Sequence, residues 1–388
     1  MSRPMTRQLM HTACLISVCI TSLCTLSASA SIINDWRING FLSQGLSTTS
    51  DNHYFGDSDD RISFDFFEAG LLIEKDLNDT LSLSTKLAYR APYSIQRNRT
   101  SIDHLLLDYH ALNGRSWYVG ARLGRVKVNY GLYNTTRNTS YTWPTALMND
   151  TVYVNKLLPL YLSTDGINVY GHKDFDSTSV DLELSTGRLK VPGAVVNDLF
   201  YGLVESQDLT LKDTLNVKLD LSIPSWRSRF NATFIGFDAD ITDLNSPPTT
   251  YNWRQYSLSW QQAWQAWQLD VELYQATHAN TSQGYNLTVH RLFPSGLDIY
   301  ALLGEYWENS KDKQGETFEA LTGLPGSSQF SANYGLGFIY PITPHWDIAA
   351  EARYNEGTNS LLFADNPLQD EGLKEHWTQL FIRATYHF

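Results

Sequence analysis

Residues 376–388 read His376-Trp377-Thr378-Gln379-Leu380-Phe381-Ile382-Arg383-Ala384-Thr385-Tyr386-His387-Phe388. Counting back in twos from Phe388 gives Tyr386, Ala384, Ile382 and Leu380. Those side chains share one face of a strand, because successive strand residues point to opposite sides. The other face carries His387, Thr385, Arg383 and Gln379. One face suits an apolar surrounding and the other suits water. Two structures offer that division: a strand standing between lipid and water, or the edge strand of a soluble β-protein.

The other end of the chain separates the two. Arg3 and Arg7 form a short basic region, an apolar run follows from 13 to 26, and Ala28-Ser29-Ala30 supplies small residues at a peptidase site. The pattern predicts a signal peptide over 1–30, with cleavage after Ala30 and one mature domain over 31–388. The apolar run is short beside the roughly 20 residues a membrane helix needs. Cys14, Cys19 and Cys24 all fall in the removed segment. The mature chain thus has no disulfide framework and no thiolate metal site.

Composition narrows the class further. The chain has 41 acidic and 29 basic residues, a net charge of −12. Removing 1–30 takes away Arg3 and Arg7 and moves the charge from −12 to −14. That excludes a nucleic-acid partner, which needs a basic surface. The 22 Tyr and 11 Trp make the chain rich in aromatics. After residue 30 no apolar run is long enough for a membrane helix. An alternating barrel would hide its membrane signal in just this way.

Alternating segments separated by turn residues occur sixteen times. They are 33–46, 62–76, 80–91, 102–112, 115–127, 164–173, 177–187, 214–223, 229–240, 250–262, 265–277, 283–293, 296–308, 330–341, 345–355 and 376–388. Short connections such as Asn78-Asp79, Asn113-Gly114 and Ala263-Trp264 alternate strictly with longer ones. A soluble sandwich has no reason to do that. A membrane barrel has short turns on one side and long loops on the other. The expected fold is therefore all-β: a transmembrane antiparallel up-and-down β-barrel of about 16 strands. A phase break between Phe66 and Phe67 is expected to be a bulge. Trp36, Trp117, Trp226, Trp264, Trp267 and Trp346 cluster near the short turns, where an interfacial girdle belongs.

The final strand, ending on the aromatic Phe388, resembles the closing strand of bacterial outer-membrane β-barrels. In those families the terminal aromatic is part of the signal read by the assembly machinery. A second resemblance lies at the fifth strand and the loop after it. Gly124-Arg125-Val126-Lys127, Gly131-Leu132-Tyr133-Asn134, Thr136-Arg137-Asn138 and Pro144 resemble the corresponding segment of the phosphate-selective porin O/P-like group. Such porins have sixteen strands and narrow their pore with the third loop. The resemblance implies an outer-membrane channel of a Gram-negative bacterium, passing small hydrophilic solutes or ions by passive diffusion. It implies outer-membrane lipid and lipopolysaccharide as surroundings, the assembly machinery as a partner of Phe388, and no cofactor. A homotrimer would fit general porins.

The third long connection, 128–163, carries Tyr130, Tyr133, Tyr141, Trp143, Leu147, Tyr153, Leu157 and Tyr161. A solvent loop would not expose that much apolar surface. It is expected to fold into the barrel and constrict it; a lid over the mouth or a contact with another subunit would also cover the surface. It departs from the anion-selective members in offering Arg137, Asp150 and Lys156 but no lysine cluster.

Strand parity gives the expected lumen charges. Basic candidates are Arg37, Lys86, Arg90, Arg122 and Arg383; acidic candidates are Asp181, Glu183, Asp220, Asp270, Glu272 and Glu351. The first set lies on early strands and the closure, the second mostly on later strands. Facing walls of opposite sign would set a field across the pore. Pairing of the same charges in salt bridges is the alternative. Parity does not settle Arg125 and Lys127.

No G-x-S-x-G elbow, H-E-x-x-H motif or glycine-rich phosphate loop occurs, so no enzyme is expected. His104 and His110 near Asp108 could be metal ligands, or lumen lining. Asp57, Asp59 and Asp60 form an acidic loop cluster that could bind a divalent cation or simply be solvated. A closed or plugged barrel serving as a surface interaction or adhesion scaffold is the alternative to a channel.

Overall fold

A computed structural model describes residues 31–33, 35–91, 100–192, 196, 206–243, 249–362, 365–368 and 373–388. The expected signal peptide, 1–30, lies outside the described residues. Sixteen long strands form the wall: β2 (Trp36–Thr49), β3 (Phe67–Asn78), β4 (Leu81–Ala91), β5 (Thr100–Asn113), β6 (Trp117–Lys127), β7 (Ser163–Asp174), β8 (Ser179–Pro192), β9 (Ser206–Ile223), β10 (Ser228–Asp243), β11 (Thr249–Trp264), β12 (Trp267–Thr277), β13 (Thr281–Leu292), β14 (Asp298–Trp307), β15 (Phe330–Thr343), β16 (Trp346–Glu356) and β17 (His376–His387). A three-residue β1 (Ser31–Ile33) folds back on β2.

Every wall strand pairs antiparallel with its neighbours in sequence, and β17 pairs with β2. In that closing pair Arg383 stands opposite Gly45 and Phe381 opposite Ser47. The sheet therefore closes on itself with no free edge, as a membrane-spanning sheet must, because lipid cannot satisfy an edge. Phe388 completes the seam: its amide donates to Gly40 O and its carbonyl accepts from Gly40 N, each at 3.0 Å. Its ring covers Gly40, where a Cβ would lie 2.6 Å from Phe388 Cζ. A side chain at position 40 would have to push that ring aside.

Alternation in the sequence becomes alternation of environment. In β17, Leu380 and Ile382 are exposed on the outer, lipid-side face while Phe381, Arg383 and Thr385 are buried. In β12, Trp267 and Leu273 are exposed while Asp270 and Glu272 are buried. The exposed set is apolar and the buried set carries the charge, the reverse of a soluble domain. All six of the turn-side tryptophans are partly or largely exposed, Trp226 most of all.

Three details differ from the expected pattern. The phase break at Phe66 is not a bulge: β3 begins at Phe67 and pairs with β2 without a register shift. Phe66 precedes the strand and is fully buried. A bulge occurs instead where β5 meets β4, between Lys86 and Leu87, leaving Asp103 as the extra residue. It turns both Asp103 and His104 inward. The turn after β11 is at Gln265, whose φ is 51°, rather than at Ala263-Trp264.

The inward face also carries an apolar core. Phe66 packs on Phe381 with ring centroids 5.1 Å apart, on Phe55 at 5.0 Å and on Trp143 at 6.2 Å. Tyr54 packs on Trp377 at 5.9 Å. Rings from the connection 50–66 and from 128–162 thus meet the inward side chains of β17.

Candidate pore lining and its contacts

The inward charges are best followed strand by strand. Arg37 sits at the short-turn end of β2, largely exposed, beside Glu74 at 3.7 Å and hydrogen-bonded to Asp76. Arg90 is buried against Asp103 at 2.6 Å and Glu68 at 3.5 Å. The β5 bulge is what brings Asp103 to it. Arg122 meets Asp108 at 2.9 Å and Glu183 at 3.4 Å, and its guanidinium lies 4.1 Å from the centre of the Tyr170 ring. Asp181 pairs with His172 at 2.7 Å. Asp220 pairs with Lys218 at 2.7 Å and Arg229 at 3.1 Å. Charges on neighbouring strands therefore neutralise one another locally, as a buried charge requires.

The acidic groups of the later strands do something else: they accept hydrogen bonds from the segment 128–162. Glu272 Oε2 accepts from Leu132 N at 2.9 Å and from the Tyr153 hydroxyl at 2.6 Å. Asp270 accepts from the Tyr133 hydroxyl. The Tyr300 hydroxyl donates to Glu351 at 2.6 Å and accepts from Ala146 N at 2.7 Å. Arg353, ion-paired with Glu351, donates to Leu147 O at 2.9 Å. Arg383 donates to Ala146 O at 3.1 Å and lies 3.8 Å from Asp347. Asp270, Glu272 and Glu351 are all buried.

The same segment touches the early strands through its middle. Asn138 Nδ2 donates to Asp103 at 2.7 Å. Lys86 Nζ donates to Asn138 O at 2.7 Å and also meets the Thr139 hydroxyl. The Ser140 and Ser43 hydroxyls are 2.5 Å apart, and Ser43 lies 2.8 Å from Thr385 across the seam. Within the segment, Arg137 donates to the Tyr130 hydroxyl at 3.1 Å and to Tyr153 O at 2.6 Å. Lys156 pairs with Glu308 at 3.8 Å. Asp150 accepts from the Tyr54 hydroxyl at 2.7 Å, and burial pushes its carboxyl up to about 6. The backbone needs of a long irregular segment are met by wall side chains.

A cavity of about 500 Å³ is left on the inward side of β2–β9. Its lining includes Lys86, His104, Arg122, Lys127, Glu183 and Lys218 from the wall, and Asn129, Thr135, Thr139 and Tyr141 from the segment 128–162. The sequence pattern left Arg125 and Lys127 open. Arg125 lies beside Ser163 at 2.8 Å and Asp165 at 3.8 Å, whereas Lys127 lines the cavity and donates to Thr135 O at 3.0 Å. Asp103 and Glu68 were missing from the expected lining. Two successive polar residues, Asp103-His104, inside an alternating strand were the available signal.

His104 and His110 have different partners, Ser84 at 3.0 Å and Tyr170 at 3.2 Å. Asp57 pairs with Arg61 at 2.8 Å. Among the described residues no group of three His, Cys, Asp or Glu side chains could hold a metal ion.

No protein-family model matches the chain, and no curated protein matches it. Solved structures do. One is OprB of Pseudomonas putida, with a TM-score of 0.57 and 11% identity over 91% of this chain and 94% of that one. Another is the anion-selective porin from Comamonas acidovorans, at 0.53 and 10% over 91% and 99%. A third is OmpT of Vibrio cholerae in its trimer form, at 0.53 and 13% over 91% and 99%. At these identities the likeness is one of fold alone. The chain has the closed sixteen-stranded antiparallel barrel of the outer-membrane porins.

Proposed function

We propose that the protein is an outer-membrane channel through which small hydrophilic solutes or ions diffuse passively, its lumen narrowed by the segment 128–162. The cavity of about 500 Å³ carries this reading, because wall charges and the segment border it together. A sixteen-stranded barrel is wide enough to hold an aqueous path, whereas eight strands would be filled by their own side chains. The hydrogen bonds from Glu272, Tyr300, Arg353 and Lys86 to the segment support its placement within the barrel. No catalysis belongs to this reading. Kinship with the phosphate-selective O/P-like group is its narrower form, supported by the junction around Gly124–Asn138 alone.

The same reading puts cleavage after Ala30, leaves 31–388 as the mature barrel, and places it in the outer membrane of a Gram-negative cell. Lipid and lipopolysaccharide would surround the exposed apolar face, and Phe388 would be read by the assembly machinery. A homotrimer is part of the proposal, one similar structure being a trimer form.

A plugged scaffold is the second reading. The buried rings of Tyr54, Phe66, Trp143, Trp377 and Phe381 favour it, since they occupy space a wide pore would leave to water. Single-channel recording of the refolded mature protein in a planar bilayer separates the two. Stable current steps support the channel; a folded barrel that stays silent supports the scaffold.

A further inference from the structure

The short-turn end of the seam holds two histidines side by side. His387 N donates to His345 O at 2.9 Å, one step beyond the Trp346–Tyr386 pair, so the two residues stand directly opposite each other. Opposite positions put Cβ atoms about 4.5–5.5 Å apart on one face of a sheet. The parity is that of Asp347 and Thr385, both buried inside the barrel. The two ring centres are 6.4 Å apart, and both residues are half-buried rather than sealed from water.

Each ring is held in place with nitrogen to spare. His345 Nδ1 lies 3.0 Å from His387 O. A carbonyl oxygen only accepts, so Nδ1 carries the proton and the neutral ring keeps its lone pair on Nε2. A ring N–H given to a backbone carbonyl is the arrangement that orients a metal-binding histidine. His387 is fixed by other means: its ring stacks on Tyr141 at 4.6 Å, and its backbone is opposite Phe41. Among the described residues, His345 Nε2 and both ring nitrogens of His387 have no hydrogen-bond partner.

We propose that His345 and His387 together chelate a transition-metal ion of the zinc, copper and nickel class. Imidazole nitrogen suits those ions, whereas calcium and magnesium prefer oxygen. Two rings on one tetrahedral zinc, with Zn–N near 2.0–2.1 Å, have centres about 5–6 Å apart. A small rotation of either ring closes the difference. Because both rings are already oriented, little side-chain freedom is lost on binding. The terminal carboxylate follows one residue after His387, and water fills the remaining positions. The site does not depend on the barrel conducting.

The test is isothermal titration of the refolded mature barrel, without a histidine tag, in detergent with zinc chloride. Calcium and magnesium chloride are the comparisons. Zinc should bind at one site, at least roughly tenfold more tightly than either. His345→Gln and His387→Phe, the second keeping a ring against Tyr141, should each weaken zinc roughly tenfold or more. His172→Gln should leave zinc affinity unchanged, because both nitrogens of that ring are taken by Asp181 at 2.7 Å and Asp174 at 3.0 Å. Heat-modifiable migration on a gel confirms that each variant is folded. Electron paramagnetic resonance of the parent with one equivalent of copper needs no variant, and should show splitting from two ring nitrogens. No zinc binding, equal binding of calcium, indifference to both histidine changes, or copper held by oxygen alone would overturn the proposal.

Discussion

Tyr141 stacks on His387, with ring centroids 4.6 Å apart and 13° between the planes. Tyr141 belongs to a segment that leaves the wall after β6, at a long-connection end, while His387 ends β17 at the opposite, short-turn end. The tip of 128–162 is therefore anchored next to the chain terminus, with Phe41 against the same ring at 5.6 Å.

Replacing Tyr141 should loosen that anchor. Aromatic pairs contribute about 0.5–1.5 kcal/mol beyond their buried area, enough to let the tip move without unfolding the barrel. Tyr141→Ala should raise single-channel conductance. Steps of unchanged size would show that the tip does not limit the path.

Glu272 gathers donors from Leu132 N, the Tyr153 hydroxyl and the Ser259 hydroxyl. Glu272→Ala leaves them buried without an acceptor, at about 1–3 kcal/mol for each group left unsatisfied. The wall strands keep their own hydrogen bonds. Limited trypsinolysis should therefore cut after Arg137 and Lys156 in the variant and spare them in the parent.

Asp150 makes the packing of the segment sensitive to pH. Burial raises its carboxyl from 3.8 to about 6, with Arg353 at 4.0 Å pulling the other way. The folded state thus holds this proton more tightly than the unfolded chain. The stabilisation is complete below about pH 4 and is lost as pH rises through 6, an effect of roughly 2–3 kcal/mol. Asp150→Asn should remove that slope. Thermal unfolding of both proteins from pH 4 to 7 measures the difference between them; parallel curves would contradict the assignment.

Arg90 and Arg122 should respond differently to charge reversal. Arg122 is one-third exposed on the cavity, and Arg122→Glu should shift the reversal potential towards cations. The Arg90 side chain is only 6% exposed, between Asp103 and Glu68. Arg90→Glu would gather three acids in one buried place, at about 3–5 kcal/mol for the broken pair. Its expected signature is a fall in folded yield, read by heat-modifiable migration on a gel.

The strands were legible because a barrel wall has only two faces and the lipid face excludes charge. Leu380, Ile382 and Ala384 against Gln379, Arg383 and Thr385 already fixed the inward side of β17. The same reading passed over Trp377 and Phe381, which share that inward face. An apolar inward residue has no mark in a period of two; its partners, Tyr54 and Phe66, lie more than 300 positions away in the chain. The charged lining was legible as positions and not as pairs. Arg90 reads as a lumen charge until the bulge that delivers Asp103 is known. Lys127 sits where strand becomes loop, so parity could not place it beside Lys86.

The seam has a consequence for the order in which the molecule is made. Ser43 hydrogen-bonds both Thr385, 342 positions away, and Ser140, 97 positions away. The first wall strand, the last strand and the middle segment thus meet at one hydroxyl. The cylinder cannot close until β17 has reached β2. Contacts of such separation are slow to form. The rate-limiting event of assembly is accordingly expected at this three-way junction rather than in any of the hairpins.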